Sequence, residues 1–375
     1  MASPAKAHHD VRQVFVLALL MCVPLPAREL GTGSIAEPLP EIGARVYRMF
    51  HFPDDRLPTI DGDLTDWEIV GDAYAQDTYE LIEYNRDIGR GYDLKNLDVR
   101  VRTGYNPRHN RIYVAVEYFD DFHNFDRVVT PGSGDLGNDD IFEIVVDTDR
   151  SGDDFIYDLN RRLMSTHAQN YHIYVHERDG EHTWIWGDQR WLEKPPWSAW
   201  ASHYDGDHGS SGLSVLEFYI TPFDYAHPEG PQRSAPGTLA VGDTIGFDYS
   251  VLDRDDEEDK VVKFWALCDT IMMYRDADFL PAFVLAGPEA RLAGLPVVDF
   301  RSQAPMAAAP RSVRFVNFSS GEVTRFVWDF GDGGTATERD PMHQYSGPGR
   351  YTVTLEAEGA GGLVRRRKMD YVLLR

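Results

Sequence analysis

Cysteine is almost missing from this chain. Cys22 and Cys268 are the only two in 375 residues, so a disulfide framework cannot carry the fold. If Cys22 leaves with an N-terminal leader, no internal disulfide is possible. Cys268, inside the apolar run "FWALCDT", reads as a small buried hydrophobe rather than a nucleophile. Lysine is scarce as well, confined to Lys6, Lys95, Lys194, Lys260, Lys263 and Lys368. With 37 basic against 61 acidic side chains, the formal net charge is −24. Such a chain repels phosphate backbones and anionic bilayers, which removes nucleic acid and lipid headgroups as partners and disfavours strongly anionic polysaccharides unless a cation bridges them. No apolar run after the N-terminal region is long enough to span a membrane. Helical periodicity is scarce too, and the pattern predicts at most a short helix in the 80–100 or 220–226 region.

What is present is hydrophobic content of 42% with 12% aromatics, enough for packed cores. Lys6 and Arg12 precede the run "VFVLALLMCV" and then "PLPA", which reads as an export signal over residues 1–27, followed by a linker over 28–45. This points to a secreted, periplasmic or cell-surface protein. From Val46 onward short alternating segments are punctuated by Gly, Pro, Asn and Asp. Examples are "RIYVAVEYF", "DIFEIVVDT", "NYHIYVHE", "SVLEFYIT" and "TIGFDYSVLD". That is an all-β pattern. A second boundary falls at "AGPEARLAGLP", giving a large module over 46–288, a linker over 289–296 and a small module over 297–375. The fold predicted is a large antiparallel β-sandwich, jelly-roll-like, followed by a small immunoglobulin-like β-sandwich.

In the small module Trp328 and Phe330 alternate with Asp329 in "WDFGDG", so the aromatics share one face and fill a core. The glycines permit a tight reversal, and Asp329 and Asp332 are turn acceptors more readily than a catalytic pair. His343 as a general base is the catalytic alternative. With "PMHQY" and "PGRYTVTL", the segment resembles the PKD domain, an extracellular spacer or adhesion module.

In the large module "TIDGDLTDWE", "IYVAVEYFDD", "GNDDIFEIVVDTD", "LEFYIT" and "VGDTIGFDYSVLDRD" occur in an order that resembles the family 9 carbohydrate-binding modules and their DOMON-like relatives. That resemblance implies an antiparallel sandwich that holds sugar between aromatic side chains. From the residues themselves, Trp67 belongs to a core around an Asp-Gly turn. The stretch "HTWIWGDQRWLEKPPWSAW" concentrates Trp184, Trp186, Trp191, Trp197 and Trp200, more indoles than one small core absorbs. Trp186, Trp191 and Trp197 are therefore the candidates for stacking on pyranose faces. The alternative is that Trp184 and Trp200 pack inward and the others brace the loop.

In "QNYHIYVHE" the residues Asn170, His172, Tyr174 and His176 share one strand face. His172 and Tyr174 are candidate sugar contacts. With His167 the same histidines form a weaker transition-metal option, because no Cys or closely spaced third ligand accompanies them. Haem, which DOMON relatives can bind, has no axial pair selected by spacing.

Calcium is the cofactor that the acidic loops suggest. "DTDRSGDDFIYD" sets Asp147, Asp149 and Ser151 at the first, third and fifth positions of an EF-hand-like loop, with Asp153 beside them and Asp158 where a Glu is usual. "FDD" contributes Asp120 and Asp121, and "DRDDEED" contributes Asp253 and Asp255.

Taken together, the sequence predicts an exported, non-catalytic binder of polysaccharide or oligosaccharide. Two alternatives stand beside it: a glycoside hydrolase or its accessory subunit, using for instance Glu143 and Glu217, and an adhesion scaffold without sugar binding.

Overall fold

The computed structural model describes residues 46–83, 93–125, 139–156, 163–178, 181–255, 263–268, 270–303 and 311–374. The architecture is all-β. Described helices are 3-10 turns, the longest being Leu64–Ile69, and the predicted helix at 220–226 is instead the short strand Phe223–Tyr225.

One continuous sheet curls to form the large module. Its strands run in the order Glu181–Ile185, Gln169–Arg178, Ile141–Asp147, Thr244–Asp253, Ala282–Leu285, Val46–His51, Leu97–Asn106, Arg111–Asp120, Gly212–Ile220 and Ser198–His203. Val46–His51 is the corner. Its first four residues pair in parallel with Ala282–Leu285, and Phe50 and His51 pair in parallel with Gly104 and Tyr105. The other pairings along this path are antiparallel.

Period-2 alternation then decides what is inside. Val99, Val101, Ile112, Val114, Val116, Leu216 and Phe218 from one half meet Phe142, Ile144, Val146, Ile173, Phe247, Tyr249 and Val251 from the other in a single buried cluster. The outer faces are covered as well. Phe50, Phe52, Trp67, Tyr113 and Tyr219 pack beneath the 57–74 segment, while Ile141, Val145, Phe155, Tyr174, Phe264 and Met273 form a separate cluster on the opposite side.

The small module packs Phe300–Gln303, Ser312–Asn317 and Met342–Gln344 against Thr335–Ala336, Val323–Asp329, Gly349–Gly359 and Gly362–Leu374. Trp328, Phe330, Phe300, Phe315 and Tyr345 fill its core. Gly331 sits at φ +80, and a Cβ there would lie 2.3 Å from the Thr352 carbonyl oxygen, so the turn requires glycine. Asp329 and Asp332 accept the Gly331 and Gly334 N–H groups, and His343 stacks on Phe330 while bonding Asp332. These three side chains hold the turn together.

The 289–296 segment is not a loose tether. Leu292 is buried with the outer cluster of the large module, and the Arg56 guanidinium donates to the Leu295 and Pro296 carbonyls. Beyond it, the last strand presents Arg365, Arg366 and Arg367 to the acidic 61–68 turn, while Lys368 turns to Asp299. Arg366 pairs with Asp66 at 2.5 Å and Asp61 at 3.1 Å, Arg367 with Asp63 at 2.5 Å, and Arg365 with Glu68 at 3.3 Å. The underside of that turn is held by Glu217, which accepts the Asp61 and Gly62 N–H groups at 2.7 Å each and the Trp67 Nε1–H at 3.0 Å.

Candidate functional site

The five indoles separate into two groups of three and two by their contacts, all of them partly buried. Trp191 and Trp197 meet edge to face around Phe223 and pack against the main core, with Trp200 also against it. The Trp191 Nε1–H is already committed to the His227 carbonyl at 3.0 Å. These rings brace the 190–225 region and, like Trp186, stand partly buried. Trp184 and Trp186 lie elsewhere, on the outer face of the half-sheet that carries Gln169–Arg178.

Register explains that second group. On adjacent strands Trp184 stands opposite His172, His172 opposite Glu143, and Glu143 opposite Ser250. A single row across four strands therefore carries indole, imidazole, carboxylate and hydroxyl on one face. Glu143 accepts from Asn170 Nδ2 at 2.8 Å and from Ser250 Oγ at 2.7 Å, and His172 Nε2 lies 3.3 Å from the same carboxylate. Burial alone would raise the Glu143 pKa. The adjoining His172 and the hydrogen bonds from His172, Ser250 and Asn170 outweigh it and hold the carboxyl below its usual value.

The row is roofed by aromatics. His172 and Trp184 are 4.4 Å apart between centroids, Trp184 and Trp186 5.8 Å, and Trp186 stacks on Tyr274 at 6.0 Å with 19° between planes. Under this roof Asn170 Oδ1, His172 Nδ1 and Trp184 Nε1 are buried with no hydrogen-bond partner. Three unsatisfied polar atoms in one place are unusual in a protein interior. The strand face predicted to line a groove is thus covered: His172 is 2% exposed and Tyr174 5%. Neither side chain reaches solvent directly, because the 274–280 turns and the two indoles lie over them. Tyr274, in "IMMYRD", was not legible as part of this group, since nothing local marks an aromatic in a 3-10 turn as a roof.

His176 belongs to a different neighbourhood. Its Nε2 lies 3.0 Å from His123 Nδ1, and His123 Nε2 lies 2.9 Å from the Gly212 carbonyl. His172 and His176 therefore serve separate partners rather than one metal. Glu143 and Glu217 lie on opposite outer faces with the main core between them, and so do not flank a common bond.

Of the acidic loops, the 147–153 stretch closes on itself. Asp147 Oδ2 accepts the Gly152 N–H and Asp149 Oδ1 the Ser151 N–H, each at 3.0 Å, and Asp153 N–H points at Asp278 Oδ1 at 3.4 Å. Asp149, Ser151 and Asp153 are exposed, and Asp158 falls outside the described residues. Burial, with Asp149 beside it, pushes Asp147 up to about 6. The other two loops, by contrast, come together. Asp120, Asp121 and Asp255 place one carboxylate oxygen each within 4.8 Å of one another, and Asp120 stands in the same relation to His123 and Asp140. Asn96 Nδ2 reaches Asp121, Asp253 and Asp255 at 3.3–3.4 Å. Strand ends from both half-sheets converge there, which sequence spacing does not reveal.

Comparisons with known proteins fall into two parts. Over 66% of the chain, the protein is similar to a family 9 carbohydrate-binding module from Caldicellulosiruptor kristjanssonii solved with cellotriose, at 13% identity and TM-score 0.40, covering 96% of that chain. The same module solved with glucose gives the same identity and score over 98% of its length. The first PKD domain of the Vibrio cholerae metalloprotease PrtV matches 22% of this chain at 27% identity, with TM-score 0.19 and 96% of that domain covered. Among curated proteins, a microbial collagenase of Vibrio alginolyticus is 43% identical over 44 residues, and collagenase ColA of Bacillus cereus 44% over 43. The chain spans only 5% and 4% of those two proteins. Among the described residues no helix is long and apolar enough to cross a membrane. The larger module is similar to family 9 carbohydrate-binding modules, and residues 295–373, which match the family model of the PKD domain, form the C-terminal module.

Proposed function

We propose that this chain is an exported, non-catalytic carbohydrate-binding protein that stacks a neutral glycan on the Trp184–Trp186–Tyr274 group of the larger sandwich. The observation that carries this reading is the set of unspent polar atoms beneath those rings. Aromatic faces supply apolar contact for the C–H side of a pyranose, and nearby donors and acceptors serve its hydroxyls. Asn170 Oδ1, His172 Nδ1 and Trp184 Nε1 are such groups, reached when a ligand or ordered water moves in beside the half-buried Trp186. The Trp191–Trp197 pair offers less, because its rings are spent on Phe223 and the Trp191 indole N–H on the His227 carbonyl. The net charge of −24 favours uncharged sugars over polyanions.

The test is a glycan array, with cellotriose and glucose among the probes, followed by tryptophan fluorescence on titration of any hit. The reading predicts binding of an uncharged oligosaccharide with a change in indole emission. An array without a hit contradicts it, as does release of reducing ends from a bound glycan.

A further inference from the structure

We infer that Glu143 is a positioning residue that sets the hydrogen-bonding polarity of the roofed group. Its carboxylate fixes Asn170 and His172 as acceptors toward the rings, so that the group takes a glycan edge of free hydroxyls and refuses one that can only accept. For its ligand this rests on the glycan reading above; for Glu143 it rests on geometry alone.

An ionised carboxylate accepts hydrogen bonds and never donates. Glu143 is 1% exposed, and three side chains turn to it. Asn170 Nδ2 donates at 2.8 Å and Ser250 Oγ at 2.7 Å, and His172 Nε2 lies 3.3 Å from Oε1. Each must present a hydrogen there. For Asn170 this fixes the amide, because Nδ2 also donates to the Tyr274 carbonyl at 3.0 Å, and Oδ1 is turned away from both acceptors. For His172 it fixes the tautomer: the proton sits on Nε2, and the neutral ring keeps a lone pair on Nδ1. Asn170 Oδ1 and His172 Nδ1 are the atoms left buried without a partner beneath the rings. Both orphans are thus the far ends of side chains whose near ends one charge has claimed. Asp248, the other buried carboxyl at hand, does not compete. It accepts the Tyr249, Leu267 and Cys268 N–H groups, and burial pushes it well above its usual value, whereas Glu143 is held below its own.

Beneath the roof there are therefore two acceptors and one donor, the Trp184 Nε1–H. A ligand matches that set by giving two hydrogens and taking one. Two neighbouring hydroxyls do so, since each donates one hydrogen and still accepts. An ether, ester or carboxylate edge only accepts, and it would leave both orphaned acceptors desolvated and unpaired. The class selected is a glycan with unsubstituted hydroxyls, against O-methylated, O-acetylated or uronate forms.

Two measurements on the full chain test the two halves separately. The first records imidazole nitrogen NMR of ligand-free, histidine-labelled protein at pH 8, with the His172 signal assigned by its loss in His172→Gln. The expected spectrum has Nε2 protonated and Nδ1 bare. Glu143→Gln, whose amide can offer either a donor or an acceptor, should shift that balance, while Ser250→Ala, which keeps the charge, should not. Circular dichroism checks the fold of each variant. A proton on Nδ1 in the wild type overturns the positioning role whatever the variants do, as does an unchanged tautomer in folded Glu143→Gln. The second measurement titrates glucose and cellotriose, each beside its O-methylated form, following indole fluorescence. The free sugars should bind, and methylation should weaken them by roughly tenfold or more. Equal affinity for the methylated forms overturns the hydroxyl selection. Binding by neither form refutes the glycan reading and the ligand class with it, and the Nδ1 result then decides the role of Glu143 by itself.

Discussion

Glu217 shows how single residues carry this molecule. It is fully buried, it holds the acidic turn by three N–H donors, and burial with the nearby Asp66 charge pushes its pKa up to about 8. A carboxyl whose folded value lies above its unfolded one binds its proton more tightly in the native state, so stability falls as pH rises between the two values. For Glu217 that window runs from its ordinary 4.5 to about 8. Thermal melts from pH 5 to pH 8.5 should show stability declining across that range, and Glu217→Gln should flatten the slope. A profile that rises with pH would contradict this. Glu143 behaves oppositely: its lowered value gives stability present above the usual carboxylate range and lost on acidification. Removing the side chain that faces it, by His172→Ala, should destabilise the fold by roughly 3 kcal/mol, because a buried charge loses its partner. Urea denaturation measures this, and a change within a few tenths would show that the row is loosely held.

At the scale of elements, the last strand and the acidic turn behave as complementary parts. The Arg366 and Asp66 side chains are 9% and 14% exposed, so their ion pair is worth more than a surface pair, and breaking it leaves an uncompensated charge. Arg366→Ala should cost roughly 3 kcal/mol and should split a single calorimetric transition into two, one for each module. Arg365→Ala, whose partner Glu68 is half exposed, should change little. Two transitions already present in the wild type would show that the modules are independent.

The strands themselves were legible in the sequence because alternation is local: "RIYVAVEYF" and "TIGFDYSVLD" announce both period and buried face. The PKD turn was legible for the same reason, since "WDFGDG" contains its own glycines and acceptors. The candidate site was only half legible. Trp186 and His172 could be named, but their common roof with Tyr274 depends on a turn about ninety residues distant in the chain. Cross-strand register placed Glu143 below it, and register is set by tertiary pairing. The acidic loops could likewise be read one by one, whereas the meeting of Asp120 with Asp255 is a property of the curled sheet.

For the whole molecule, the two modules form one body with a covered interior and an aromatic roof on one outer face. The central claim is that this roof binds glycan. Isothermal titration of a glycan identified on the array against wild type, Trp186→Ala and Trp191→Ala tests it most directly, with circular dichroism confirming that each folds. The account predicts that Trp186→Ala loses binding by roughly tenfold or more, the removal of a stacked ring being worth more than about 1.4 kcal/mol, while Trp191→Ala retains it. Undiminished affinity in a folded Trp186→Ala variant would contradict the account.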